Sequence, residues 1–120
     1  MRILIVEDEM ITAMHLEDLA IELGHTVVGT AQTASAAVSA ADSFRPDLVL
    51  IDLRLAHGTD GVEAAMEIRR RQNIPSIFIS GKLDDASRKR AAPARPLGYI
   101  TKPFTREDLA LALAEAQSQI

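Results

Sequence analysis

The sequence predicts an α/β fold in which helices surround one parallel sheet. Short apolar runs alternate along the chain with segments whose apolar residues recur at helical spacing, a pattern typical of consecutive βα units. A chain of 120 residues is long enough for one hydrophobic core but not for two, so we expect a single domain over residues 1–120. The apolar runs predict strands near 2–6, 26–30, 47–51, 75–80 and 97–101.

Four helices follow from apolar residues spaced three and four positions apart, which form one helical face. Gly24 is expected to end the first helix, the turn Gly58-Thr59-Asp60-Gly61 to precede the third, and Thr105 to cap the last, three residues before Asp108. The apolar faces are Leu16, Leu19, Ala20 and Leu23; Ala34, Ala37, Val38 and Ala41; Val62, Ala65, Met66 and Ile68; and Leu109, Ala112, Leu113 and Ala116.

The fourth helix has the weakest pattern. Asp84-Asp85 is a sound helix start, but the next residues offer little apolar surface, and Pro93 and Pro96 end any helix within 84–92. The basic residues of this region, Arg88, Lys89, Arg90 and Arg95, are compatible with an altered partner surface or with a solvated face. Arg69-Arg70-Arg71, at the end of the third helix, is interpreted as charge that the helix dipole favours.

Composition narrows the classes of function. The chain has no cysteine, which excludes disulfides and thiolate sites, and with no tryptophan, one tyrosine and three phenylalanines its core is expected to be aliphatic. A net charge of −4 argues against nucleic acid as a direct partner. No apolar stretch approaches the ~20 residues that a membrane span needs, and no signal-peptide pattern follows Met1. We therefore expect a cytoplasmic protein.

Residues that carry chemistry follow three of the predicted strands. Glu7-Asp8-Glu9 come directly after the first strand, Asp52 after the third, and Lys102-Pro103 after the fifth. The carboxyl ends of parallel strands meet at one edge of the sheet, where ligands bind in open α/β folds. Acids gathered at that edge repel one another and call for a divalent cation or for protonation. This arrangement indicates phosphate chemistry.

Four runs of sequence, taken in order, resemble the receiver domain of two-component response regulators, the family that includes chemotaxis regulators. The intervals from Asp8 to Asp52, from Asp52 to Ser80 and from Ser80 to Lys102 are 44, 28 and 22 residues, as the family would show. The resemblance covers the whole chain and implies a flavodoxin-like (βα)5 three-layer sandwich with a five-stranded parallel sheet in the order 2-1-3-4-5. The runs are Ile5-Val6-Glu7-Asp8-Glu9, Leu50-Ile51-Asp52-Leu53, Ile79-Ser80-Gly81 and Tyr99-Ile100-Thr101-Lys102-Pro103-Phe104.

The resemblance implies a role for each residue of the site. Asp52 is the implied phosphoryl acceptor, and Lys102 the ammonium that contacts a phosphoryl oxygen. The implied cofactor is Mg²⁺, held by Asp8 and Asp52, by Glu7 directly or through a water, and by the backbone carbonyl of Arg54. Taken alone, Glu7 and Asp8 are equally typical of strand-end and helix-cap acids on a solvated surface, and Lys102 of a solvent-exposed lysine before a turn.

A conformational switch is implied as well. Ser80 would donate its hydroxyl to the phosphoryl group, and Tyr99 would swing inward as Ser80 moves. The alternatives are a strand-end serine bonded to nearby backbone and a half-buried tyrosine with its hydroxyl in water. A cis bond between Lys102 and Pro103 is also implied. The surface that reads the switch would be the fourth helix, fifth strand and fifth helix.

The resulting hypothesis is a phosphorylation-controlled switch with two protein partners. A sensor histidine kinase or histidine phosphotransferase supplies the phosphoryl group, and a downstream protein binds the changed surface. The chain would act as a monomer or weak homodimer and would assist its own phosphorylation and dephosphorylation without being a dedicated enzyme. A stand-alone receiver, a phosphate shuttle or sink, and a receiver piece of a larger regulator or hybrid kinase, without an output domain of its own, all remain open.

The sequence disfavours three other functions. A flavin carrier of the same topology needs a phosphate-binding loop of backbone donors after the first strand, where Glu7-Asp8-Glu9 would repel phosphate unless a metal intervened. An aspartyl-phosphate phosphohydrolase needs an acid two residues after the nucleophile, where Arg54 stands. A receiver that folds but is never phosphorylated is disfavoured because Asp8, Asp52, Ser80 and Lys102 are all present.

Overall fold

Five parallel strands form one sheet in the computed structural model, which describes residues 1–55 and 60–120. The order across the sheet is β2-β1-β3-β4-β5, as predicted, and every neighbouring pair is parallel. Each predicted strand agrees with an observed strand to within one residue at either end. The strands are Arg2–Val6 (β1), Thr26–Ala31 (β2), Leu48–Asp52 (β3), Ser76–Ser80 (β4) and Gly98–Thr101 (β5).

Five helices connect and follow the strands. Gly24, at φ 92°, ends α1 as predicted, and its N–H and that of His25 each donate to helix carbonyls at 3.0 Å. Thr105 caps α5 in a reciprocal pair of hydrogen bonds with Asp108. In the two described ranges no helix is both long and apolar enough to cross a bilayer. The helices are Met10–Glu22 (α1), Ala34–Phe44 (α2), Gly61–Gln72 (α3), Asp85–Ala91 (α4) and Arg106–Gln117 (α5).

The core has two parts, one on each face of the sheet. Alternate residues of the central strands point to opposite faces, so Ile5 and Leu50 pack against α1 and α5, whereas Val6 and Ile51 pack against α2, α3 and the end of α4. Strands buried on both faces read as continuous apolar runs, which explains the composition of β1, β3 and β4. The three layers are those of the predicted sandwich.

The fourth helix is as short as its sequence predicts. Asp84 caps it by accepting a 2.8 Å hydrogen bond from the amide of Ser87, and α4 ends at Ala91. A 3-10 turn over Ala92–Ala94 follows, with Pro93 in its first turn, because proline lacks the N–H that continued α-helix requires. Ala91 is the buried residue of this helix and its anchor to the core.

The third helix begins in direct contact with the end of β3. Of the turn predicted over 58–61, residues 58 and 59 lie outside the described residues, whereas Asp60 caps the helix by accepting from the amide of Val62 at 2.8 Å. Gly61 donates its N–H to the carbonyl of Leu53 at 3.1 Å. A Cβ at Gly61 would lie 1.9 Å from the backbone oxygen of Asp52, so no larger residue fits without displacing that strand end.

We therefore predict that Gly61→Ala destabilises the fold by about 1–3 kcal/mol, the usual cost of overpacking a tight site. Chemical denaturation followed by far-ultraviolet circular dichroism measures the effect. Gly98→Ala is the matched control, because its Cβ would meet no atom within 4 Å and its φ is outside the left-handed region. Equal stability of the two variants would contradict the proposed close packing.

Candidate functional site

The carboxyl ends of four strands bring the predicted site residues to one edge of the sheet. Glu7 follows β1, Asp52 ends β3, Ser80 ends β4 and Lys102 follows β5. The residues that precede Glu7 and Asp52 are direct partners across β1 and β3, and Asp52 itself pairs with the residue before Ser80. The amide of Lys102 donates to the carbonyl of Ser80 at 2.8 Å. The pairing of the parallel strands therefore places Glu7, Asp52, Ser80 and Lys102 side by side at the carboxyl edge of the sheet.

Lys102 is at the centre of an ionic cluster. Its Nζ lies 2.5 Å from Oε1 of Glu7 and 2.9 Å from Oδ2 of Asp52, with Glu9 Oε1 at 3.7 Å. The Glu7 side chain is only 2% exposed and that of Lys102 20%, so water screens these charges far less than on an open surface. The prediction that the acids and the lysine share one crevice is confirmed.

Burial opposes the charge on both Glu7 and Lys102. Burial, with a smaller contribution from the charge of Asp52, raises the pKa of Glu7 to about 7, although Lys102 and a 3.2 Å hydrogen bond from the Glu9 amide act in the opposite direction. For Lys102, burial alone would lower the pKa, but its hydrogen bonds to Glu7 and Asp52 outweigh burial and raise it above the ordinary value. Lys102 is therefore charged at neutral pH.

The Asp52 carboxylate is held by a hydrogen bond to each of its oxygens. Oδ2 accepts from Lys102, and Oδ1 accepts from the backbone amide of Arg54 at 3.0 Å. Arg54, in the segment that follows β3, therefore contacts Asp52 through its backbone N–H. The carboxylate consequently has a fixed orientation at the edge of the sheet.

Carboxylate oxygens of Glu7, Asp8 and Asp52 lie within 4.8 Å of one another. Two oxygens bound to one Mg²⁺ are at most about 4.2 Å apart, so small side-chain movements would bring all three carboxylates onto one ion. All three donors are oxygens, which Mg²⁺ prefers. One ammonium does not balance three acids, and a divalent cation would relieve the excess negative charge. The donor set and spacing fit a magnesium ion.

Ser80 and Tyr99 lie outside the ionic cluster. The Ser80 hydroxyl oxygen accepts from the amide of Lys82 at 3.1 Å, which is the strand-end interaction with nearby backbone considered from the sequence. The ring of Tyr99 stacks on Phe78 with centroids 6.2 Å apart, and the guanidinium of Arg88 lies 4.6 Å from the ring centroid. Tyr99 therefore packs half-buried against α4, away from Asp52. The Lys102–Pro103 bond is cis, as the resemblance implies.

An apolar surface beside the cluster was missed from the sequence. Met10, Ile11 and Met14 are exposed on the first turns of α1, and the side chain of Ile11 is 85% exposed. His15 stacks on Phe104 with ring centroids 5.6 Å apart, and the groove of about 470 Å³ that they line also reaches Lys102. The sequence contained evidence for this surface, because Met10, Ile11 and Met14 lie on a different side of α1 from the apolar residues that pack against the sheet.

Comparison with known proteins agrees with this geometry. The family model described as the response regulator receiver domain matches residues 3–114. The phyllosphere-induced regulator PhyR of Methylorubrum extorquens is 38% identical over 95% of this chain and 42% of its own length. The transcriptional regulatory protein PdtaR of Mycobacterium tuberculosis is 34% identical over 98% of this chain and 57% of its own length. The chain spans about half the length of these curated relatives.

A solved structure agrees over nearly the whole chain. The signal receiver domain of a modulated diguanylate cyclase from Desulfovibrio desulfuricans G20 superposes with a TM-score of 0.89 at 34% identity, covering 98% of this chain and 93% of that one. The family match extends from β1 into α5 and so includes every strand that contributes to the acidic edge. This chain belongs to the receiver domains of two-component response regulators.

Proposed function

We propose that Asp52 accepts a phosphoryl group from a phosphohistidine of a sensor kinase or phosphotransferase, and that the resulting acyl phosphate switches a protein-binding surface. The observation that carries this proposal is the contact between the Lys102 ammonium and the Asp52 carboxylate at 2.9 Å. A lysine in this position offers positive charge to an oxygen of the incoming phosphoryl group. Asp52 therefore meets both requirements of an acceptor, a fixed orientation and a neighbouring cation.

The transfer is an in-line displacement at phosphorus. An Asp52 oxygen forms the new P–O bond as the P–N bond to the donor imidazole breaks, and the imidazole leaves with the electron pair. Lys102 would contact an oxygen of the transferred phosphoryl group. Its positive charge would then offset part of the negative charge on that group instead of the charge on the Asp52 carboxylate. Positioning and charge neutralisation are the principal contributions a protein makes to phosphoryl transfer.

Magnesium is the proposed cofactor of this step. Glu7, Asp8 and Asp52 would hold the ion, with Glu7 binding directly or through a water, and the backbone carbonyl of Arg54 would complete the protein ligands. When bound, Mg²⁺ would neutralise negative charge on the phosphoryl oxygens. The 4.8 Å spacing of the three carboxylates supports this donor set.

Phosphorylation of the isolated chain tests the proposal. Incubation with Mg²⁺ and acetyl phosphate should add one phosphoryl group that hydroxylamine removes, because acyl phosphates react with this nucleophile. Asp52→Asn should abolish the modification, and chelation of Mg²⁺ should reduce it strongly. Intact-protein mass spectrometry measures both effects.

Asp18→Asn provides the matched control, since Asp18 is an exposed acid of α1 far along the helix from the cluster. This variant should be modified to the same extent as the unaltered chain. Continued single-site modification of Asp52→Asn would place the acceptor elsewhere and overturn the proposal.

Ser80 and Tyr99 are proposed to couple the phosphoryl group to the partner surface. The Ser80 hydroxyl, which donates to the Lys82 carbonyl at 3.4 Å, would donate instead to a phosphoryl oxygen, and Tyr99 would leave Arg88 and move inward. The readout surface would then be α4, β5 and α5. A groove of about 340 Å³ between β5 and α5, lined in part by Tyr99 and the exposed Leu111, supports this assignment.

Tyrosine emission tests this coupling, because Tyr99 is the chain's one tyrosine and there is no tryptophan. Phosphorylation should change the emission of the unaltered chain. In Ser80→Ala, phosphorylation should still occur but the emission change should be lost. An equal change in both proteins would show that Tyr99 does not respond through Ser80.

The phosphodonor is proposed to dock on the apolar surface formed by Met10, Ile11, Met14 and Phe104. This surface borders Lys102 and presents exposed apolar side chains next to a charged cleft. A protein carrying a phosphohistidine must cover this edge to bring its imidazole to Asp52. Exposed apolar patches beside a site are typical of protein interfaces.

Ile11→Glu should slow transfer from a phosphorylated histidine phosphotransferase by about tenfold or more, because it places a charge in the docking surface. Modification by acetyl phosphate should be unaffected, since that donor needs no docking surface. Ile21→Glu is the control, as Ile21 is the same residue type and is 55% exposed near the other end of α1. Equal slowing in both variants, measured by rapid-quench transfer, would contradict docking at this surface.

Signalling is a better account of the site than turnover of a substrate. The matched region makes up only 42% of PhyR and 57% of PdtaR, so the same domain is compatible with a larger regulator, a hybrid kinase, a phosphate shuttle or a stand-alone switch. A monomer or weak homodimer in the cytoplasm remains the expected state. The phosphohydrolase alternative is disfavoured because Arg54 occupies the position where such enzymes need a second acid.

A further inference from the structure

Two arginines line one groove at the end of α3 that is remote from the acidic edge. Arg69 lies in the last turn of α3, and Arg95 follows the 3-10 turn after α4. The groove between them has a volume of about 560 Å³ and also contacts Met66 and Pro93. Eight residues of helix separate Arg69 from Gly61 beside Asp52, which corresponds to about 12 Å along the axis. The groove is therefore separate from the proposed phosphorylation site.

Neither arginine has an acidic partner within residues 1–55 and 60–120. Arg70 pairs with Glu67 at 2.6 Å and Arg71 approaches Asp42 at 3.7 Å, whereas no such pair involves Arg69 or Arg95. The Nε of Arg69 is buried and has no acceptor in that part of the chain. A buried guanidinium donor without an acceptor is uncommon in folded proteins.

Arg69 and Arg95 line the same groove, and the backbone at Arg95 has a defined conformation. Arg95 adopts a left-handed conformation at φ 51°, and its amide donates to the carbonyl of Ala92 at 2.9 Å, which fixes the chain at the end of the 3-10 turn. Burial and the positive charge of Arg95 together lower the pKa of Arg69 below its ordinary value. Two like charges thus line one groove, and neither forms an ion pair with an acid among the described residues.

We propose that this groove binds a small oxyanion, a phosphate or carboxylate group held between Arg69 and Arg95. Guanidinium groups bind such planar or tetrahedral oxyanions through paired hydrogen bonds. Such a ligand would bind the guanidinium groups of Arg69 and Arg95 and relieve the repulsion between these two charges. Met66 and Pro93 would contact an uncharged part of the same molecule.

The remaining charges of the groove set its selectivity. Arg70, Glu63 and Glu67 also line the groove, so its three arginines and two glutamates carry a net charge of +1. Glu67 is already paired with Arg70, which reduces its repulsion of an anion. This balance favours a compact anion with one or two charged groups over a long polyanion such as nucleic acid.

Nuclear magnetic resonance of the full chain in metal-free buffer tests the proposal, with the Arg69 Nε–H signal as a local probe. Separate titrations with pyrophosphate and citrate distinguish a phosphate from a carboxylate source. A saturable shift of this signal is expected, with a dissociation constant of about 1 mM or tighter for at least one anion. Saturation by pyrophosphate alone would identify phosphate as the preferred group, and saturation by citrate alone would identify carboxylate.

Arg69→Gln and Arg95→Gln should each raise that dissociation constant about tenfold or more, read from backbone amide shifts around the groove. Arg95 is exposed, so its replacement tests the site even where loss of Arg69 disturbs folding. Arg106→Gln removes the same charge from the exposed start of α5 and should leave binding unchanged. The absence of a saturable shift with either anion, or equal affinity in Arg95→Gln and Arg106→Gln, would overturn the proposal.

Discussion

The Lys102 ammonium between Glu7 and Asp52 is the interaction on which the site depends. Lys102 is 95 positions from Glu7 and 50 positions from Asp52 in the sequence, so these contacts connect the end of β5 to the ends of β1 and β3. Removing one partner from a buried ion pair leaves an uncompensated charge, which is far more costly than the same loss at a surface. The cluster is therefore a structural tie as well as the proposed reactive centre, and any ligand of the acids must share them with this lysine.

Close packing reinforces that tie from the other side of Asp52. The start of α3 lies so near β3 that only glycine fits at position 61, and its amide bonds to the carbonyl of Leu53. The amide of Arg54 meanwhile holds one oxygen of the Asp52 carboxylate. Asp52 thus lies between a charged neighbour and a closely packed backbone, an arrangement that pre-organises the carboxylate for its proposed role as phosphoryl acceptor.

Much of this fold and site could be predicted because it is encoded locally. Strands buried on both faces produce apolar runs, helices produce stripes such as Leu109 and Leu113, and a residue directly after a parallel strand must lie at the carboxyl edge. Other features depend on contacts between distant segments. The apolar surface around Ile11, the packing of Tyr99 against Arg88 and the lack of an acidic partner for Arg69 among the described residues were not foreseen, because sequence spacing shows which face an element buries but not what lies across a groove.

The most direct test of the account is paramagnetic broadening by Mn²⁺, which prefers the same oxygen ligands as Mg²⁺. If the strand ends form one metal site, substoichiometric Mn²⁺ will first broaden the amide signals of Glu7, Asp8, Asp52 and Lys102. Signals around Gly24, at the opposite end of α1, will remain sharp, and excess Mg²⁺ will restore the broadened ones. Broadening that is scattered over the surface acids, or that spares Asp52 and Lys102, would contradict a shared magnesium pocket.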